Sequence, residues 1–213
     1  KQFNNKKDFK NYPANIKQDI KILKKTKKVD FLYIPKFKDI YNNNKKSNIK
    51  IKKKDKVLCA KYRKGHFEGV IDVMGRLTNL VNPKKIFMGK KDYQQYLLIK
   101  NYLKNKYKTS IIPCKTIRDK SKIAMSSRNN HLDLNGIKKA SFLSKSLIKL
   151  KRNLANSKKI KQNLRIQMKY FEKFLKIKIE YLELRSIKNL TISNTVRDSR
   201  LFVAYYIDNV RLI

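Results

Sequence analysis

The sequence predicts an α/β fold, a parallel sheet with helices on its faces, followed by a smaller α+β domain. Three observations lead there. Short β-rich apolar runs alternate with helical patterns through the first half of the chain, and alternation in units of this length calls for parallel strands joined by crossover helices. Beyond Arg118 the rhythm changes to two long helical stretches and then strands in succession, the grouping expected of a separate α+β unit. At 213 residues the chain is long enough for one large or two modest domains whose core needs no disulfide or metal staple. The boundary is placed at Ile117, giving domains 1–117 and 118–213.

Each element has its own local signature. Ile16, Ile20 and Leu23 recur at helical spacing over residues 14–25, and residues 29–34 form a β-rich run that Pro35 stops. An Asn- and Lys-rich loop over residues 41–48 follows. Residues 57–60 read as a second strand, before a helix whose Phe67, Val70, Val73, Met74 and Leu77 share one face. Ile86, Phe87 and Met88 read as a buried strand, residues 93–107 as a helix carrying Tyr96, Leu97, Ile99 and Leu103, and Ile111 with Ile112 as a strand ahead of Pro113. The two long helices cover residues 134–155 and 158–176, the second marked by Ile160, Leu164, Met168, Phe171 and Leu175. Residues 177–184, 201–207 and 210–213 close the chain as strands, and there is no internal repeat.

Composition bounds the function. The net charge of +40 invites a nucleic-acid-binding reading, yet only 10 of the 55 basic residues are Arg, the side chain whose planar fork reads bases and clamps phosphates. Lys, Asn, Ile, Tyr and Phe share A/T-rich codons, so a biased genome accounts for much of the lysine at solvated sites. Nonspecific polyanion binding remains an expectation of so much charge. Cys59 and Cys114 stand apart, without zinc-knuckle or disulfide-framework spacing, and read as reduced thiols of a cytoplasmic protein. No apolar run approaches the roughly 18 to 20 residues of a membrane span.

Three segments carry chemistry. Met88-Gly89-Lys90-Lys91-Asp92-Tyr93-Gln94-Gln95 stands where a predicted strand hands over to a predicted helix, the place where open α/β sheets bind ligands. Gly89 lets a ligand approach the backbone, Lys91 brings a compact positive charge suited to phosphate, and Asp92 can accept from a ribose hydroxyl. A charged turn capping a helix fits the same residues. Ala124-Met125-Ser126-Ser127-Arg128-Asn129 offers two hydroxyls and a guanidinium without apolar periodicity, either a loop able to wrap a triphosphate or an ordinary polar turn. In Lys64-Gly65-His66-Phe67-Glu68-Gly69, a structural hydrogen bond is a simpler role for His66 than acid/base work.

Taken in order, these segments resemble the pantothenate synthetase (pantoate:beta-alanine ligase) family over nearly the whole chain. The family's Asn-Pro-x-Gln-Phe enters at Lys1-Gln2-Phe3, and its Tyr-Pro-Arg-Thr corresponds to Tyr12-Pro13-Ala14-Asn15. Gly-His-Phe-x-Gly-Val matches residues 65–70, and Phe-Gly-x-Lys-Asp-x-Gln-Gln matches residues 88–95 with Met88 for Phe. Met-Ser-Ser-Arg-Asn is intact at residues 125–129, and the C-terminal signatures persist as Tyr181-Leu182-Glu183-Leu184, Leu201-Phe202-Val203-Ala204 and Arg211-Leu212-Ile213. Ala14-Asn15 and Ser121-Lys122 depart from the usual Arg-Thr and Asp-Gly.

The resemblance implies a Rossmann-like nucleotidyltransferase domain followed by a small lid domain, in a homodimer. It implies that ATP, with Mg²⁺, activates pantoate as an adenylate that beta-alanine then attacks. Gly89, Lys90, Lys91, Asp92, Ile117, Met125, Ser126, Ser127 and Arg128 would contact ATP, with Ile117 offering its backbone to adenine. Lys91, Ser126 and Arg128 would be catalytic, Gln2 and Gln95 would hold pantoate, Gln2 would also hold beta-alanine, and no side chain would ligate a metal. Another adenylating enzyme of the same fold is the runner-up to this ligase reading, beside the nucleic-acid-binding one. The family's Pro-x-Met-Gly-Ala-Leu-His-x-Gly-His stretch is absent from residues 1–213 and is expected upstream of Lys1, so that residues 1–213 alone are expected to make no pantothenate.

Overall fold

Helix α1 (Ile16–Thr26) opens the computed structural model, which describes residues 15–41, 48–104 and 106–213. Gln2, Tyr12, Pro13 and most of the Asn/Lys-rich stretch lie outside those residues. Asn15 caps α1 by accepting from the Gln18 amide at 3.1 Å, yet no residue of the helix is buried. Residues 29–34, expected as a strand, join no ladder among the described residues, and Phe31 is 94% exposed. Strand propensity is a fit to a partner and a packed face, and the described chain offers these residues neither. A short helix, α2 (Phe37–Ile40), then buries Ile40.

Residues 57–60 were also expected as a strand, and here the structure substitutes a turn and helix α3 (Cys59–Tyr62). The cause is a buried side chain. Gln94 donates to the Asp55 carbonyl at 3.0 Å and the Val57 carbonyl at 2.8 Å, and accepts from the Ala60 amide at 3.3 Å. Those bonds satisfy the backbone groups that a ladder would have used. Leu58 sits at φ 49°, uncomfortable for a side chain, and is held there by nearly complete burial.

Gly65, at φ 77°, turns the chain into helix α4 (His66–Val81). Its buried face runs through Phe67, Val70, Ile71, Gly75 and Thr78, rotated from the predicted stripe. Gly75 lies on that face, where a Cβ would stand 3.4 Å from the Tyr102 ring, so the helix packs closely against that side chain there. Strand β1 (Lys85–Gly89), helix α5 (Tyr93–Lys104) and strand β2 (Ser110–Cys114) form one crossover unit, with the strands parallel from Lys85 opposite Ser110 to Gly89 opposite Cys114. Alternate residues of β1 face opposite ways, so Met88 is buried while Phe87, expected inside, is 66% exposed on the uncovered face.

The second half is helix α6 (Leu134–Asn153), helix α7 (Ile160–Leu175) and an antiparallel sheet of β3 (Lys178–Ser186), β4 (Ser199–Ile207) and β5 (Val210–Leu212) in that order. Asp133 caps α6 by accepting from the Gly136 amide at 2.6 Å. Leu143, Leu164, Phe171, Leu184 and Ile207 belong to one core under this sheet. Tyr181, Leu190 and Ala204 instead join the first core, with Phe67, Leu97 and Leu103. The antiparallel sheet therefore packs into both halves.

A buried polar network fastens that junction. Arg211 on β5 donates to the Glu180 carboxylate on β3 at 2.6 and 3.0 Å, with both side chains nearly inaccessible. The Tyr206 hydroxyl donates to Glu180 at 3.0 Å. From α3, Tyr62 donates to the Glu180 carbonyl at 2.8 Å, and Cys59 sulfur lies 3.0 Å from the Tyr181 hydroxyl and 3.3 Å from Arg211. Burial disfavours the Arg211 charge, but Glu180 and Cys59 outweigh it and hold its pKa above the usual value. Arg211→Met should cost about 3–5 kcal/mol in chemical denaturation, because Glu180 is left buried without its counter-charge. Glu180→Met combined with Arg211→Met should recover most of that loss; two additive penalties would show that the pair is not coupled.

Candidate functional site

The parallel strands point their carboxyl ends at a cavity of about 930 Å³ between the crossover unit and the antiparallel sheet. Gly89 ends β1, and a Cβ built there meets nothing within 4 Å, so the backbone lies open at this point. A single 3₁₀ turn, Lys90–Asp92, carries the chain into α5. It sends Lys91 into the cavity wall, 3.8 Å from the Asp92 carboxylate and with a side chain only 20% exposed. Burial lowers the Lys91 pKa, Asp92 works against that, and the Arg128 charge adds to it.

The opposing wall comes from a hairpin. Arg118 bridges Ala124, the Met125 amide donates to the Ile117 carbonyl at 2.9 Å, and buried Ile123 roots the turn in the second core. Ser126 then accepts from the Arg128 amide at 3.3 Å and starts the 3₁₀ turn Ser127–His131, while Asn129 donates to the Ala124 carbonyl at 3.0 Å. These local bonds hold the loop and leave the Arg128 side chain on the wall.

Of the residues singled out from sequence, Lys91, Asp92, Gln95, Ser126 and Arg128 line the cavity together. Gly89, Lys90, Ile117, Met125 and Ser127 lie beside these positions without being part of the lining; the side chains of Ile117 and Met125 are 68% and 59% exposed. Gln2 is outside the described residues. His66 lines the cavity and its Nε2 accepts from the Arg63 guanidinium at 2.8 Å, a structural partnership of the kind expected for it. Adjacent Gln94 and Gln95 have split roles: the first is spent on the 55–60 turn, and the second faces the cavity.

Sequence reasoning missed most of the charge. Arg63, Arg118, Arg128, Arg152, Arg200 and Arg211 line the cavity with Lys91 and Lys151, against one carboxylate, Asp92. Among the described residues, six of the 10 arginines are here, but only two of the lysines. That contrast was the available signal: in a chain saturated with Lys, an Arg is worth locating, because its rigid fork suits anion binding. A second cleft of about 1190 Å³ over α4 and α5 mixes Asp39, Asp55 and Asp72 with its lysines and gathers none of the candidate residues.

Fold and cavity together define an α/β protein with a cation-lined cavity at the carboxyl ends of its parallel strands. A model of the pantoate-beta-alanine ligase family matches residues 1–213. A pantothenate synthetase of Sulfurihydrogenibium sp. (strain YO3AOP1) is 33% identical over 218 residues, covering 100% of this chain and 77% of its own. A bifunctional pantoate ligase/cytidylate kinase of Prochlorococcus marinus (strain MIT 9301) is 43% identical over 187 residues, covering 85% of this chain and 36% of its own. The chain thus spans little more than a third of the bifunctional relatives it matches. Pantothenate synthetase from Thermus thermophilus superposes with a TM-score of 0.85 at 25% identity, over 99% of this chain and 77% of that one. Pantoate-beta-alanine ligase from Francisella tularensis, complexed with beta-gamma ATP and beta-alanine, gives a TM-score of 0.79 at 32% identity, over 99% and 73%. The chain belongs to the pantoate-beta-alanine ligase family. Neither a nucleic-acid-binding protein nor another adenylating enzyme finds support among these relatives.

Burying Lys91 as a cation has a stability consequence. Its folded pKa is below the ordinary 10.5, so the cost is complete at neutral pH, where both folded and unfolded forms are protonated, and fades as pH climbs toward 10.5. Lys91→Met should therefore raise the melting temperature of the ligand-free protein by about 2–4 °C per kcal/mol relieved. The gain should shrink in alkaline buffer, and a pH-independent gain would trace it to packing instead.

Proposed function

We propose that this protein is the ligase that condenses pantoate with beta-alanine at the expense of ATP, forming pantothenate, AMP and pyrophosphate. The observation that carries the reading is the convergence of Lys91 and Arg128, from two separate segments, on one cation-lined cavity at the end of β1. Such a cavity suits a triphosphate. In the first step the pantoate carboxylate oxygen bonds to the α-phosphorus while the bond to pyrophosphate breaks. In the second, the beta-alanine amine attacks the acyl carbon and AMP leaves with the bonding pair.

In this reading Lys91, Ser126 and Arg128 stabilise charge developing on the phosphates, and Asp92 accepts from the ribose. Gly89, Lys90, Met125 and Ser127 complete the ATP contacts through backbone and flanking positions, and Ile117 borders adenine. Gln95 holds pantoate, and Gln2 holds pantoate and beta-alanine. Residues 1–117 act as the nucleotide-binding domain and 118–213 as the lid. Support for that division comes from the separate core beneath the antiparallel sheet.

Mg²⁺ enters on the nucleotide. Asp92 is the one carboxylate lining the cavity, and among the described residues no three His, Cys, Asp or Glu side chains cluster as a metal cage. The phosphates would supply its ligands, and no step here depends on it. A homodimer is part of the same proposal, on the family resemblance, and the free thiols of Cys59 and Cys114 favour the cytoplasm. No described helix is long and apolar enough to cross a membrane. The lysine-rich surface should bind polyanions weakly and lose them as salt rises.

The full-length natural protein should catalyse exchange of labelled pyrophosphate into ATP when pantoate is present, and exchange driven instead by an amino acid would overturn the reading. Gln95→Ala should raise the KM for pantoate more than that for ATP, since only pantoate loses a hydrogen-bond partner. Equal rises would remove Gln95 from the pantoate site.

A further inference from the structure

Five of the cavity cations fall into two groups. Lys91 interacts with Arg128 and Arg211 near the end of β1, whereas Arg200 interacts with Arg118 and Tyr93. Geometry sets the second group apart. Arg200, on β4, lies over the Tyr93 ring at 5.2 Å and donates to the Thr116 hydroxyl at 3.4 Å. Arg118 donates to the Lys122 carbonyl at 2.9 Å and to the Ser144 hydroxyl at 3.0 Å. All these partners are neutral. Among the described residues neither arginine has a carboxylate partner, and the one carboxylate lining the cavity, Asp92, is nearest to Lys91. Two guanidiniums that repel each other, Arg200 half-buried and Arg118 on the exposed rim, with donors to spare, form an anion site that no described carboxylate compensates.

Its place in the cavity narrows the ligand. Arg200 touches Tyr93, which follows Asp92, and Thr116, which precedes Ile117. In the ligase reading Asp92 meets ribose and Ile117 borders adenine, so contact with their chain neighbours Tyr93 and Thr116 sets the arginine pair toward the adenosine end. An anionic group attached to the ligand at that end is a phosphate on the ribose, on the hydroxyl that Asp92 does not hold. We infer that Arg118 and Arg200 form a second phosphate subsite, which accepts adenine nucleotides bearing an additional 2′- or 3′-phosphate. This rests on the ATP-binding reading above. An adenosine bisphosphate of this kind would occupy both cationic groups at once and compete with ATP without being a substrate, since it lacks a pyrophosphate leaving group.

Isothermal titration of the protein with ATP, AMP, and adenosine 2′,5′- and 3′,5′-bisphosphates tests it. At least one bisphosphate should bind about tenfold or more tightly than AMP, the effect of one charge-assisted contact, and should displace ATP. That advantage should fall with rising salt. Arg200→Gln should bring the bisphosphate down to the affinity of AMP while ATP binding is retained, and Arg200→Lys should keep part of the advantage. The salt series on the unaltered protein supplies a readout if the glutamine variant does not fold. ATP binding without any bisphosphate advantage overturns the subsite alone; failure to bind ATP overturns the ligase reading as well. Equal weakening of AMP, ATP and bisphosphate by Arg200→Gln would make Arg200 a general nucleotide contact and overturn the inference. Inorganic phosphate that raises AMP affinity to the bisphosphate level would identify a free-phosphate site and overturn the tethered one.

Discussion

The buried pairing of Arg211 with Glu180 is the contact on which the rest of the arrangement rests. Both groups have left water, so the attraction between them must outweigh two desolvation penalties, and it does so only with every remaining lone pair occupied. Tyr206 supplies one hydrogen bond to the carboxylate, and Cys59 takes the remaining reach of the guanidinium. Through Cys59 and Tyr62 the pair clamps α3 against the antiparallel sheet. The chain then runs directly from α3 through Arg63 and Gly65 to His66, so the same clamp sets one wall of the cavity. A shift of either strand would open the junction and the site together.

The cavity is expensive for the empty protein. Among the described residues eight cations line it with one carboxylate, several of them half-buried, and apart from Arg211, which Glu180 compensates, they repel one another. The stability forgone is the counterpart of the preorganised field that a phosphate ligand would meet. This local density differs in kind from the global charge of +40, which is spread over solvated lysines that salt can screen. Selection of Arg over Lys inside follows from the same physics. A planar guanidinium can bond to Ser144, Thr116 or a carbonyl with one edge and keep the other edge for a ligand, whereas an ammonium has no such second face.

Neighbouring residues with one chemistry have come to opposite uses because helical geometry separates them by about 100°. Gln94 turns inward and replaces a strand's hydrogen bonds for residues 55–60, and Gln95 turns to the cavity. The motif that contains both therefore joins the folding of residues 55–60 to the cavity wall. Much the same holds for the hairpin before Ser126, where Ile123 is core and Arg118 is wall.

Local periodicity and order along the chain were enough to determine the class of fold, the α5, α6 and α7 helices, the β1–β2 crossover, the succession of β3, β4 and β5, and the segments holding Lys91 and Arg128. Those features arise from spacing and turn chemistry that act within a few residues. Tertiary structure alone decided the rest. Residues 29–34 and 57–60 have strand composition but no ladder, because a ladder needs a partner and a side chain such as Gln94 can take its place. Phe87 faces out because burial depends on which sheet face is covered, and alternation cannot say which. The arginine wall draws on residues as far apart in sequence as Arg63 and Arg211. Nothing in the spacing of such residues marks them as neighbours; the folding of two cores against one buried ion pair brings them together.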